Sequence, residues 1–225
     1  MIGRTALGLA LLTIAGALAA PALASPNLLG ATGLIRIPTA DVLPPGGYNL
    51  GGFVSESNPF DITDSAQTTL YTGNYGVQGG LELGVVGLSN TTDIFTGNAK
   101  LMIEPEVGNR VGIAAGVLDF LDKEAITPYI VFSKTLVPGH GLPFGADEVS
   151  VVRIHVGGSS EGVLHGLFAG ASVVIGKSLM AMSEWDGDDF NFGGRLFVGD
   201  NLRIHGFYLG GPKDFAGGVS WNARF

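Results

Sequence analysis

Over most of its length the chain alternates apolar and polar residues with a period of two. In 215–225, Phe215, Gly217, Val219, Trp221, Ala223 and Phe225 fall on one side, and Ala216, Gly218, Ser220, Asn222 and Arg224 on the other. Such alternation makes a strand with one apolar and one polar face. Phe95, Gly97, Ala99, Leu101 and Ile103 oppose Thr96, Asn98, Lys100 and Met102 in the same way, as Leu202, Ile204, Gly206 and Tyr208 oppose Arg203, His205 and Phe207. Segments of this kind, separated by Gly-, Asn- and Asp-rich turn signals, are read at 47–55, 68–77, 81–88, 93–103, 110–120, 126–136, 149–156, 163–175, 179–185, 190–198, 202–209 and 215–225. No helical stripe competes with them. They predict an all-β chain of about twelve antiparallel strands, an even number that leaves both ends on one side.

The polar faces decide what kind of β-protein this is. A soluble sandwich covers its outer face with Lys, Glu and Thr. Here charged residues make up only 14% of the chain and gather in turns, while Gly reaches 37 of 225 positions. A sparse polar face carrying Gly and occasional charges suits a barrel lumen, and the apolar face suits lipid. The expectation is a single antiparallel transmembrane β-barrel over 47–225. Its last strand puts Val219, Trp221, Ala223 and Phe225 toward the membrane. A terminal Phe preceded by alternating apolar residues resembles the C-terminal assembly signal of bacterial outer-membrane barrels. That resemblance implies outer-membrane lipid and the barrel-assembly machinery as partners.

Residues 1–24 read as a signal peptide, with Arg4, an apolar run from Ala6 to Ala20, and Ala22-Leu23-Ala24 as the cleavage site. Bacterial outer-membrane localisation follows from the leader and the barrel together. Residues 25–46 form an extended and turning lead-in, because Pro38, Pro44 and Pro45 bar a central strand. Cysteine is absent, so no disulfide staples the fold. The formal charge of −8 argues against a nucleic-acid partner.

Glu82, Lys100, Arg110, Arg153, His155, Glu184, Arg195, Arg203, His205 and Arg224 are the candidate lumen-lining residues. They allow two readings: a basic conduit for an anionic solute or polymer, or an internal salt-bridge network in which Glu82 and Glu184 neutralise neighbouring Arg and Lys. Asp186 to Asp189 have carboxylates at Ca²⁺-loop spacing but lack the downstream bidentate Glu, so an acidic outer hairpin is expected. Asp61, Asp64, Asp122 and Glu124 are expected in outer loops with it. His155 and His205 sit in strands beside Arg, with no Ser nucleophile or carboxylate arranged as a triad. No catalytic, cofactor-binding or metal-binding residue is assigned, and no cofactor is expected.

Two segments carry a family resemblance: 33–47, which opens Gly33-Leu34-Ile35-Arg36-Ile37-Pro38-Thr39-Ala40, and 184–195, Glu184-Trp185-Asp186-Gly187-Asp188-Asp189-Phe190-Asn191-Phe192-Gly193-Gly194-Arg195. They resemble the G-L-I-x-x-P-T-A opening and the E-x-D-G-x-D-x-N-x-G hairpin of the YjbH-like family of outer-membrane barrels. The resemblance implies a non-enzymatic accessory or narrow-pore protein for exopolysaccharide or surface-glycan export, with polysaccharide or export components as partners. The residues also leave open a structural or adhesive barrel with a plugged lumen, and a lipid-modifying barrel enzyme using His155 or His205.

Overall fold

A computed structural model describes residues 24–61, 67–89, 95–121, 126–137, 151–160, 162–176 and 178–224. Twelve strands are present: β1 (Gly47–Ser55), β2 (Thr68–Gly76), β3 (Leu81–Leu88), β4 (Phe95–Glu104), β5 (Gly112–Leu118), β6 (Thr127–Val137), β7 (Val151–Ser159), β8 (Leu167–Ile175), β9 (Leu179–Trp185), β10 (Phe190–Val198), β11 (Leu202–Leu209) and β12 (Asp214–Arg224). Each pairs antiparallel with its sequence neighbours, and β1 pairs β12 from Gly47↔Arg224 to Ser55↔Ala216, so the barrel is closed. Closure removes every free sheet edge. The fold predicted from alternation is the fold observed.

The largest inward shift of a boundary is at β8. The strand expected at 163–175 begins only at Leu167, because Gly162 and Gly166 at positive φ (140° and 62°) break the extended path. Val163 and Leu164, freed from the wall, turn in over the lumen and are buried. The expected signal peptide up to residue 23, the whole 138–150 turn and strand start, Asp64, Asp122, Glu124 and Phe225 lie outside the described residues.

The outward face is an apolar belt. Tyr71, Phe95, Leu167, Phe190 and Phe215 are each more than 60% exposed, and Val219 and Trp221 about half exposed. Continuous rows of this kind exceed what water tolerates on a monomer, and suit a hydrocarbon surrounding. Ala223 on the same row is partly buried.

The inside is filled by the chain itself. Eight-stranded barrels can be packed by their own inward side chains, but twelve strands enclose more room. Residues 24–43, most of the stretch expected as an extended and turning lead-in over 25–46, run through the barrel's interior. Leu28, Leu29, Leu34, Ile35 and Ile37 are 0–2% exposed and share one core cluster with Phe53, Leu70, Val86, Phe168 and Phe207 of the wall. Fully burying five such side chains contributes on the order of 10 kcal/mol as an upper estimate. The segment is irregular because the wall strands, already paired on both edges, offer it no ladder. Its backbone pairs mostly with itself, through the bridges Pro26↔Thr32 and Gly33↔Pro38. At Gly33 a side chain would meet Ile37 O at 2.3 Å, so the tight fold requires glycine there.

Replacing Val219 by Arg in the middle of the β12 outer row is expected to lower stability by about 2–4 kcal/mol in lipid. Urea unfolding in vesicles measures it, and a neutral outcome would argue that the belt faces water.

Candidate functional site

The contact between the inner segment and the wall is built on two buried carboxylates. Glu184, near the end of β9, receives three consecutive amides: Ile35 N at 2.9 Å and Ile37 N at 3.3 Å on Oε2, and Arg36 N at 2.7 Å on Oε1. Asn191 Nδ2 of β10 adds a fourth donor at 3.2 Å. Glu82, near the start of β3, accepts Thr32 N at 3.1 Å and Leu43 N at 2.9 Å, and both of its oxygens lie 3.0 Å from Thr32 Oγ1. Buried amides must find acceptors, and a segment excluded from the sheet finds them in wall side chains.

Cations take the carbonyls. Lys100 Nζ donates to Thr32 O at 2.8 Å, to Thr39 O at 3.2 Å and to Thr32 Oγ1, and stands 3.7 Å from Glu82. Arg195 Nη2 donates to Gly33 O and Leu34 O at 3.2 and 3.3 Å. Asn74 Nδ2 holds Gly30 O at 2.6 Å, and Ser133 Oγ accepts Ala40 N at 2.9 Å. Arg153 grips Asp41 in a two-pronged pair at 2.6 and 3.0 Å and shares its Nη2 with Glu106 at 2.9 Å. Burial alone would raise the Asp41 carboxyl, but the Arg153 charge and hydrogen bonds outweigh it and hold the group at about 2.

Arg36 forms the apex. It pairs with Asp186 of the β9–β10 turn, and its Nη2 donates to Pro59 O at 3.1 Å and Val163 O at 2.9 Å, carbonyls of the β1–β2 and β7–β8 loops. Asp186 also accepts Asp189 N at 3.0 Å and Asn191 Nδ2 at 2.9 Å. Burial pushes its carboxyl up, yet the Arg36 charge and these donors keep it below the usual range.

Glu82, Lys100, Arg153, His155, Glu184, Arg195, Arg203 and His205 are all buried inside the wall, and the first three with Glu184 and Arg195 touch the inner segment. Arg110 and Arg224 do not line it. Arg110 lies in the β4–β5 turn, 74% exposed beside Glu104 at 2.9 Å, and Arg224 is exposed at the rim where β12 ends. The expected pairing of Glu184 with Arg or Lys is corrected as well: amides surround it, because the nearby Arg36 guanidinium turns to Asp186. That aspartate, expected in an exposed acidic hairpin, is 2% exposed. Arg203 stays with its own end of β11, donating to Leu202 O and Asp200 O with its guanidinium over Phe197.

Sequence reasoning missed Arg36, Asp41, Asn74, Ser133 and Asn191. The available signal was two charges inside a Pro-bounded apolar segment, which only an interior partner explains. Sequence reasoning also missed that both histidines meet serines. Ser133 Oγ is 2.7 Å from His155 Nδ1, and Ser220 Oγ is 2.8 Å from His205 Nε2. Arg195 Nε donates to His205 Nδ1 at 3.2 Å, which makes Nε2 the protonated nitrogen and therefore a donor to Ser220, not a base. All four side chains are buried.

The two family-like segments, 33–40 and 184–195, thus meet: Arg36 and Asp186, 150 residues apart, are ion-paired. As a sequence, the chain matches no family model and no curated protein. Among solved structures it is similar to the KdgM porin (8% identity, TM-score 0.47, 80% of this chain and 99% of that one). It is also similar to outer membrane protein Omp33 of Acinetobacter baumannii (12%, 0.42, 79% and 97%) and to an outer membrane channel of Pseudomonas putida F1 (13%, 0.38, 82% and 97%). The YjbH-like resemblance rests on its two motifs alone.

Glu184→Ala, which leaves three buried amides without an acceptor, is expected to cost at least about 3 kcal/mol, and Glu184→Gln less. Arg110→Ala should stay within about 0.5 kcal/mol in the same urea titrations. Because Asp41 is depressed in the fold, its contribution is full above the unfolded value near 3.8 and is lost as pH falls toward 2. About 2 kcal/mol of acid sensitivity between pH 4 and 2 should therefore vanish in Asp41→Asn, as read from denaturation midpoints against pH.

Proposed function

We propose that this chain is a non-enzymatic barrel of the bacterial outer membrane, closed at rest by its own N-terminal segment, that serves surface-glycan or exopolysaccharide export as an accessory protein. The observation that carries the closed state is the occupancy of the lumen by residues 24–43, with aliphatic side chains buried in a core shared with the wall. The outward apolar belt supports residence in a membrane. The glycan role is supported by the YjbH-like resemblance of two segments that meet as one contact in the fold. A lipid-modifying enzyme has less support, since both Ser–His pairs are buried.

A second reading has its own observation. Arg36 draws the β1–β2 and β7–β8 loops over the mouth of the barrel, as a structural or adhesive barrel that works through fixed loops would require.

Purified, full-length protein in planar bilayers should insert as a heat-modifiable barrel and show no steady conductance. Steady ohmic steps with every insertion would overturn the closed state. Deletion in the native cell should lower secreted polysaccharide; an unchanged amount from cells lacking a closed barrel would favour the second reading.

A further inference from the structure

The inner segment is bound to the wall in a manner unlike the rest of the barrel. Among the described residues, the backbone between 24 and 43 makes no backbone hydrogen bond to a wall strand; the first is Gly46 N to Gly76 O, at the entry to β1. The wall closes without it, through the nine-residue register of β1 with β12. Both ends of the segment lie at the same end of the barrel. Ala24 O accepts Asn222 Nδ2 at 2.6 Å beside the last turn of β12, and Leu43 sits on Glu82 beside the first residues of β3. The segment can therefore leave without threading or breaking a strand pair. Its polar partners are wall side chains, which water can replace one for one. At the opposite end it is tied by the Glu184 carboxylate, which holds the amides of Ile35, Arg36 and Ile37, and by the Arg36 guanidinium, whose three partners come from three different outer connections: Asp186, Pro59 O and Val163 O.

We propose that residues 24–43 are a gate latched through Arg36, so that pulling the outer connections off this guanidinium lets the segment withdraw toward the end where Ala24 and Leu43 sit and opens the lumen to small hydrophilic solutes. The proposal rests on the closed state argued above and adds that the closure is reversible. The wall left behind is wet enough to conduct, since Glu82, Lys100, Arg153, Glu184 and Arg195 all exchange a segment contact for water. Arg36 is in this account a positioning residue for the gate.

The fold supplies a lock for the test. A β-carbon at Gly30 would lie 3.6 Å from Val86 Cβ in the outer half of β3, within disulfide reach once Val86 loses its methyl groups, and the chain has no native cysteine. Full-length Gly30→Cys/Val86→Cys protein, with Arg36 or with Arg36→Gln, is reconstituted in planar bilayers in KCl, oxidised and then reduced. The Arg36→Gln protein should open after reduction, at least 10-fold more often than the Arg36 protein, and stay closed when oxidised. If reduced Arg36→Gln is as silent as the locked form while remaining a heat-modifiable barrel, or conducts equally when locked, the gate is overturned. Should Arg36→Gln fail to fold, urea titration of the Arg36 protein replaces it. Conductance must then appear in the reduced form below the urea concentration that melts the barrel, and not in the oxidised form; coincident melting and opening would refute release. Conductance from the oxidised Arg36 protein would instead refute the closed state itself.

Discussion

Twelve paired strands enclose more space than their own inward side chains can fill, and the rest of the structure follows from that excess. A vacant apolar interior is costly, and a water-filled one leaves Phe53, Leu70, Val86, Phe168 and Phe207 wet. Residues 24–43 meet the need, but they bring some twenty peptide groups into a place where no sheet edge is free. The amides and carbonyls that the segment does not pair with itself must then be answered by side chains. The inward polar residues are the answers: Glu82 and Glu184 for amides, Lys100, Arg195 and Asn74 for carbonyls. What resembles a lining of charges is a set of receptors for one strip of backbone.

This changes the meaning of the charged interior. Sequence alternation left two readings, a basic conduit or a salt-bridge network. The structure contains elements of the second, in Arg153–Asp41 and Lys100–Glu82, but the partners that matter most are peptide groups. Glu184 is the clearest case, a buried carboxylate with no cation on it and three amides in contact. The two conspicuous motifs acquire a shared role in the same way. The Gly33–Ala40 strip presents amides and a guanidinium, and the hairpin beginning at Glu184 presents the carboxylates that receive them.

Much of the wall was legible in the sequence because period-two alternation is a local property. The limits of β1, β3, β9, β10 and β11 read directly from it, and which residues face inward followed for Glu82, Lys100, Arg195 and His205. The interior path of residues 24–43 was not legible. Pro38, Pro44 and Pro45 announce that the segment is no strand, and say nothing of where it lies. Arg36 meets Asp186 across 150 residues, a distance no local pattern spans. The rim positions misled for a simpler reason: Arg110 and Arg224 keep the parity of inward residues, but Arg110 precedes the start of β5 and Arg224 is the last residue of β12, at the rim.

The central claim is that the backbone of residues 24–43 is bonded inside the barrel by wall carboxylates. Residue-resolved hydrogen exchange in detergent micelles tests it most directly, at the amides of Thr32, Ile35, Arg36, Ile37 and Leu43. The account predicts protection of these five far above that of an exposed segment, selectively lost at Ile35, Arg36 and Ile37 in Glu184→Ala and at Thr32 and Leu43 in Glu82→Ala. Exchange at the rate of free peptide in the unmutated chain, with the wall strands still protected, would contradict it.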